Sequence, residues 1–490
     1  MRIIQTFYTK NIKSANPCGG WLTEEYHYMC WALSCLSAKR CYGKVELYTD
    51  IYGAEMLIDR LKLPYDDVHI ILDDVPILNS LPSFLWAMSK IYTYSIQTEP
   101  FMHIDGDFVF WKTYDLNRPL IFQNIEYDVP LYGRIYQNLK KNSEEMVFER
   151  CLVDPFIEGA FNMGIFGGTN LPFISEYANN ALKYATKKSS NNKVFEDNKN
   201  DINCFIEQYY AYFLTKKMNI DYNVIHRPVR FKNETIGEGT DFNLWDKNIG
   251  FSHFLGQSKL NYHVADFVAR ELYNNYPSYY RLVHNLFKDG HKKEFFFSKE
   301  NKELNIEYLY TDLMSRLQNS HYILEGKLKK NYMQYLQDSK NLFLETVDSF
   351  GSPIASEKNP LPMKDWKLST KFRLNGNFIC INRYMCPWSE MYKAQRFAYK
   401  EFIVKEEDIT YEKYCMFILT PFHRSMASIW VNEITAYLIK KVLSTNDTSM
   451  EEIWNKMNLL VKGNQKISLN IISLLLKTIS ENNIIDISNE

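Results

Sequence analysis

Over its first 120 residues the sequence predicts an α/β fold: a mainly parallel sheet covered by helices on both faces. The chief observation is alternation, since short apolar runs of strand character are separated by stretches of helical periodicity. A second is the placing of Asp50 and Asp105 at the carboxyl ends of such runs, where ligands of open α/β sheets bind. A third is length: 490 residues exceed what one core supports, so two or three domains are expected.

The elements follow in order. Ile3–Tyr8 reads as a strand, followed by a loop with Pro17, Gly19 and Gly20. Trp21–Lys39 carries helical periodicity, with Tyr28, Trp31, Leu33 and Leu36 on its inner face. Lys44–Thr49 is a second strand, Ala54–Leu61 a short helix, Val68–Leu72 a third strand and Leu81–Ser95 a helix. Phe101–Ile104 is a fourth strand that runs straight into Asp105. Beyond it, Tyr127–Tyr132 and Gly164–Phe166 read as strands, Thr186–Asp201 as a polar surface loop, and Ile202–Lys217 as a helix. Gly250–Phe254 is an extended segment that delivers His253. The charged run Lys288–Lys302 marks a border, so the expected domains are 1–287, a charged and helical connection 288–365, and an accessory domain 366–490.

Composition narrows the function. Hydrophobic residues make up 46% and charged residues 23%, as in ordinary globular proteins, and a net charge of −1 argues against a dominant nucleic-acid role. The first residues lack a signal peptide's apolar run, and the stretch Ile471–Ile479 is broken by Ser473 and Lys477, so no transmembrane segment is expected. Nine cysteines at irregular spacing, with no CxxC, read as reduced thiols of a cytoplasmic protein; Cys380 and Cys386 lack two further ligands for zinc. The 35 Tyr and 31 Phe suit sugar stacking, although core packing accounts for most of them.

The chemistry concentrates in three scattered motifs: Asp105-Gly106-Asp107, Phe161-Asn162-Met163-Gly164, and His253-Phe254-Leu255-Gly256-Gln257-Ser258-Lys259. Carboxylates at i and i+2 lie on one side of an extended backbone. With the His253 imidazole they form a hard, mostly oxygen set suited to Mn²⁺ or Mg²⁺. Gly106 permits a sharp turn, Gly256 permits close backbone approach to phosphate, and Lys259 supplies a compact positive charge. Lys90 lies on the helix ahead of the Asp strand and is expected to reach the same crevice.

On these residues the chain resembles family 8 glycosyltransferases, over roughly residues 1–285. The family's Asp-X-Asp falls on Asp105 and Asp107, its HxxGxxK on His253, Gly256 and Lys259, its FNxG on Phe161, Asn162 and Gly164, and its helix lysine on Lys90. The resemblance implies a GT-A fold, a UDP-sugar donor, Mn²⁺ and retention of anomeric configuration. It further implies that Asp105 approaches the ribose and that Asn162 lies near the transferred sugar. Tyr8, Lys90, Asp105, Asn162, Gly256 and Lys259 are the expected donor-binding residues. The family's Asp-Gln pair at the reacting face has its nearest match in Glu207-Gln208, with Asp201 as a rival.

The last 60 residues show Asn432 capping a helix with Ile434, Leu438 and Val442, then Thr448-Ser449-Met450-Glu451 as a capping box before Ile453, Met457 and Leu460. Ser468 caps a third helix with Ile472, Leu475, Leu476 and Ile479, and Ile484, Ile485 and Ile487 suggest a closing strand. This pattern resembles a winged helix. Seven basic and seven acidic residues between Pro421 and Glu490 give no basic face for DNA. The pattern loosely resembles the winged-helix modules that grip leader peptides in peptide-modifying enzymes; completing the fold or forming a homodimer is the alternative. The acceptor is therefore expected to be a peptide or a glycan such as lipopolysaccharide core, and a non-enzymatic peptide-binding scaffold is the remaining rival.

Overall fold

The computed structural model describes residues 1–10, 18–21, 23–126, 159–189, 195, 199, 202–226, 229–231, 234–236, 250–260 and 262–287. Beyond these it describes 322–324, scattered positions between 327 and 341, 360–374, 379–385, 402–404, 412–420, 425–443, 446–459, 467–481 and 484–489. Its contacts divide the chain into two units, Met1–Ala265 and Asp266–Glu490.

The first unit is built on a seven-stranded sheet. Its strands are β1 (Arg2–Phe7), β2 (Val45–Thr49), β3 (Asp67–Ile70), β4 (Phe101–Ile104), β6 (Ile121–Glu126), β7 (Ala160–Gly168) and β8 (Asn223–Val224); β5 (Phe108–Phe110) stands apart. The spatial order is β3-β2-β1-β4-β7-β6-β8. The β3, β2, β1 and β4 ladders are parallel, and β7 runs antiparallel to both β4 and β6. The expected parallel α/β core is thus present, with an antiparallel insertion on one side. β2, β4 and β7 are buried along their whole length, as strands covered on both faces must be.

Helix α1 (Glu24–Tyr42) starts where the Thr23 hydroxyl accepts the Tyr26 amide and stops at Gly43, whose φ of 80° only glycine adopts freely. Residues 25–38 are all buried, so α1 has no solvent stripe. Asp50 caps the next short helix, α2 (Ile51–Ala54), accepting from the Gly53 amide at 2.8 Å and from both Thr9 donors at 2.9 and 2.6 Å. Its place at a strand end therefore serves capping.

Several local expectations change. The helix expected over Leu81–Ser95 begins only at Met88 (α4, Met88–Ser95), because the preceding Pro76–Ser80 forms its own short helix, α3, and Pro82 interrupts continuation. Strand β6 and the long helix α5 (Leu171–Ser189) are additions to the sequence reading, and α5 runs into the segment expected to be a loop from Thr186. The expected strand Tyr127–Tyr132, the charged border Lys288–Lys302 and Asp201 lie outside the described residues. The helix expected over Ile202–Lys217 is present as Ile202–Cys204, a wider π turn at Phe205–Tyr209, and Tyr210–Lys217; together they form α6.

In the second unit, Lys371–Leu374 pairs with Thr448–Ser449 on one side and Ile485–Ser488 on the other. Ile379–Met385, Glu412–Thr420 and Ser425–Val431 form a separate antiparallel sheet. Helices Glu433–Tyr437, Met450–Asn458 and Leu469–Glu481 occur where the caps predict them. Phe372, Ile453, Met457, Ile472 and Leu476 form their core. The capping box is shifted by one residue: Ser449 and Glu452 make it, because the helix starts at Met450. Ile434 is 48% exposed, off the core face assigned to it. No described helix is long and apolar enough to cross a membrane. Cys30, Cys35 and Cys41 carry free thiols, and Cys386 lies outside the described residues.

Candidate functional site

The site forms at the carboxyl end of β4, where a fully buried strand empties into two carboxylates. Asp105 and Asp107 flank a tight turn: the Phe108 amide donates to the Asp105 carbonyl at 3.1 Å, and β5 follows at once. Strand β9 (Phe251–His253) then pairs antiparallel with β5, setting His253 opposite Phe108. The Phe254 amide donates to the Asp107 carbonyl at 3.1 Å and extends that ladder. A three-residue ladder thus carries residue 253 to the carboxylates across more than 140 positions of sequence. Ligand atoms of Asp105, Asp107 and His253 come within 4.8 Å of one another, the single such cluster of His, Cys, Asp and Glu among the described residues.

Two glycines make this possible. A Cβ on Gly106 would lie 2.3 Å from the Trp31 ring, so the turn packs flat on α1. A Cβ on Gly164 would lie 2.4 Å from the His253 imidazole, so the FNxG segment of β7 backs the site at van der Waals contact. Neither contact accommodates a side chain without displacement.

Two lysines neutralise the carboxylates. Lys259 Nζ lies 2.5 Å from Asp107 Oδ2, and His253 Nε2 lies 3.3 Å from Asp107 Oδ1. Burial opposes ionisation of Asp107, yet Lys259 and His253 hold its carboxyl well below the usual range. Lys259 sits on a 3₁₀ turn, Gly256–Leu260, which Gly256 opens with φ 45°. Lys90, on α4, lies 2.9 Å from both Asp105 oxygens and 2.6 Å from Glu207 Oε1. Burial lowers the Lys90 pKa, but Asp105 and Glu207 together raise it above the usual lysine value. Burial drives the Asp105 carboxyl up, against the pull of Lys90.

The remaining expected residues fall as follows. Asn162 is buried; its amide donates to Glu126 Oε1 at 2.8 Å, and its oxygen accepts the Gly164 amide at 3.1 Å. Glu207 is completely buried on the π turn of α6, and Gln208 beside it is half-buried. Burial raises the Glu207 carboxyl to about 7, with Lys90 opposing. Tyr8, half-buried, donates to Asn79 at 3.3 Å and borders a hollow also lined by Lys10, Leu81, Leu85, Met88 and Ser89.

Helix α1 supplies functional residues that the sequence reading passed over. Ser34 donates to the Phe108 carbonyl at 2.6 Å and to the Asp105 carbonyl at 3.2 Å. The Ser37 hydroxyl accepts the Phe110 amide at 3.1 Å, and Arg40 donates to the Phe110 carbonyl at 2.7 Å. Spaced by three, these residues pin the whole Asp-turn and β5 along one helix line. Their spacing of three is the one signal in the sequence, and in a helix buried on every side it does not mark which face they serve. Asn203, on α6, holds the loop before α4 by accepting from the Ala87 amide at 3.1 Å and donating to the Phe84 carbonyl at 2.6 Å.

These features define an α/β protein with a candidate divalent-metal site at the carboxyl edge of its sheet. The chain belongs to a family of unknown function, DUF6734, whose profile matches residues 1–286. Among curated proteins, none matches the sequence. The crystal structure of mouse xyloside xylosyltransferase 1, in its apo form, is similar at 12% identity, over 46% of this chain and 84% of that one, with a TM-score of 0.26. At that identity and score, the similarity assigns neither substrate nor chemistry.

Proposed function

We propose that the first unit is a GT-A-type, metal-dependent glycosyltransferase that moves a hexose from a UDP-sugar to an acceptor with retention of configuration. The observation that carries this reading is the convergence of Asp105, Asp107 and His253 beside the buried Lys90 and the half-buried Lys259. The donor set fits Mn²⁺ or Mg²⁺: two carboxylates and one imidazole leave positions for diphosphate oxygens. His253 Nδ1 is buried without a hydrogen-bond partner among the described residues, while Nε2 lies 3.3 Å from Asp107 Oδ1. When bound, the metal supplies Lewis-acid stabilisation of charge on the leaving diphosphate.

The chain's own residues supply the rest. Lys259 exchanges its contact with Asp107 for the diphosphate and neutralises it as the glycosidic bond breaks. Lys90 fixes the Asp105 carboxylate, so that this group meets the donor in one orientation. The hollow beside Tyr8 takes the nucleoside. Asn162 faces the sugar, and Gln208 or Glu207 supports its far side. For the second unit we propose acceptor recognition by a winged-helix-like module, with a peptide as acceptor; its three capped helices and closing strand support that reading.

The test is UDP-sugar hydrolysis across the common UDP-hexoses, with and without Mn²⁺, in the wild type and in Asp107→Asn. Metal-dependent hydrolysis that falls about a thousandfold in the variant is expected. Undiminished hydrolysis by Asp107→Asn in Mn²⁺ would refute the metal assignment. Silence with every donor would favour the scaffold alternative.

A further inference from the structure

Glu207 has no exposed surface, and its Oε2 has no hydrogen-bond partner among the described residues. It reaches Lys90 because α6 widens into a π turn over Phe205–Tyr209, and such turns recur at functional sites. The Tyr177 hydroxyl donates to the Glu207 carbonyl at 2.9 Å, tying the wide turn to α5. Lys90 Nζ therefore stands between two carboxylates, 2.6 Å from Glu207 Oε1 and 2.9 Å from each Asp105 oxygen. A buried carboxylate in this place is costly, and a neutral side chain would pack there more cheaply. Its negative charge opposes the Lys90 ammonium next to the candidate cation site.

Resting on the glycosyltransferase reading, we infer that Glu207 is a positioning residue for the metal. It shares Lys90 with Asp105, so that Asp105 keeps enough negative charge to serve as a ligand. Without Glu207, the full ammonium charge falls on Asp105 and repels the incoming cation. On this inference Glu207 acts through Lys90, which leaves Gln208 as the residue that supports the far side of the sugar.

The test is Mn²⁺ binding to the full chain without any donor, read by electron paramagnetic resonance of free Mn²⁺. Glu207→Gln keeps shape and removes charge, and its affinity is expected to weaken roughly 10- to 100-fold, the usual cost of removing an outer partner of a ligand. Glu207→Asp, which keeps the charge, should recover much of this loss. Thermal melting run alongside separates folding from binding: a Glu207→Gln variant that melts like wild type but binds Mn²⁺ normally overturns the inference. Should Glu207→Gln prove unstable, Lys90→Met in the same background decides, because removing the ammonium must restore affinity; failure to restore it overturns the inference. Asp107→Asn distinguishes the two levels. If it also binds Mn²⁺ normally, the metal site itself is misassigned; if only Glu207→Gln binds normally, Glu207 alone is.

Discussion

Replacing Lys259 with Met is expected to tighten Mn²⁺ binding while abolishing efficient transfer. Lys259 Nζ lies 2.5 Å from Asp107 Oδ2, one of the oxygens available to a cation. The ammonium and an entering divalent ion therefore compete for one carboxylate. Unit charges about 4 Å apart attract by roughly 4 kcal/mol at an effective dielectric of 20. Lys259 is 17% exposed, so part of this energy returns when the ammonium swings into water. A net penalty of about 1–2 kcal/mol on metal entry remains. Its removal corresponds to about five- to thirtyfold tighter binding. Turnover should fall by about two to three orders of magnitude, because the diphosphate loses its neutralising charge. Calorimetry with Mn²⁺ alone measures the first effect, and donor hydrolysis at saturating Mn²⁺ measures the second. If Lys259→Met binds Mn²⁺ no more tightly than wild type, the competition for Asp107 is absent and the proposed exchange of Lys259 between carboxylate and diphosphate fails.

Two further substitutions test the scaffold. Gly106→Ala should destabilise the first unit by about 1–3 kcal/mol, since its Cβ meets the buried Trp31 ring at 2.3 Å and that ring is packed against Phe7 at 4.7 Å; an unchanged urea midpoint would show that the turn can yield. His27, buried beside Trp31 on α1, has its pKa driven down to about 3, first by burial and then by Lys259. Between pH 6.5 and 3 the unfolded chain holds a proton on this ring that the folded chain lacks, so stability falls as pH falls, by on the order of 1.4 kcal/mol per pH unit. Unfolding free energies from urea titrations of wild type and His27→Gln between pH 6.5 and 5 should differ in slope by about that amount, and equal slopes would place a proton on His27 in the folded state.

The candidate site was legible in sequence because its members are chemically distinctive and closely spaced within each motif. Asp105 and Asp107, or His253 and Lys259, can be recognised without knowing the fold. What joins them was not legible. The β5–β9 ladder rests on Phe108-Val109-Phe110 and Phe251-Ser252-His253, runs too short to separate from loop or core by periodicity. Helix α1 hid its role for a different reason: with residues 25–38 buried on every side it has almost no amphipathic contrast, so Ser34 and Ser37 carried no mark of the face they serve. Helix α5 was readable in principle. Phe173, Ile174, Tyr177, Ala178, Ala181 and Leu182 recur at helical spacing, but Asn179, Asn180 and the Lys-rich end favour a loop when judged by composition.

The arrangement of charge also says why the site needs both lysines and a third buried carboxylate. Asp105, Asp107 and Glu207 are offset by Lys90 and Lys259 to one net negative charge before any ligand arrives. Under the proposed function, a divalent cation makes the cluster positive, and a nucleoside diphosphate returns it toward its starting charge. On this scheme metal and donor bind in support of one another, and neither is held strongly alone. The two lysines then differ in kind. Lys90, enclosed between Asp105 and Glu207 at 8% side-chain exposure, is fixed, whereas Lys259 rests on a 3₁₀ turn behind an exposed Gly256 and can change partners. The same Mn²⁺ titration must accordingly move in opposite directions for two charge-removing variants, tighter for Lys259→Met and weaker for Glu207→Gln. General loosening of the fold would weaken both, so opposite signs isolate electrostatics from damage.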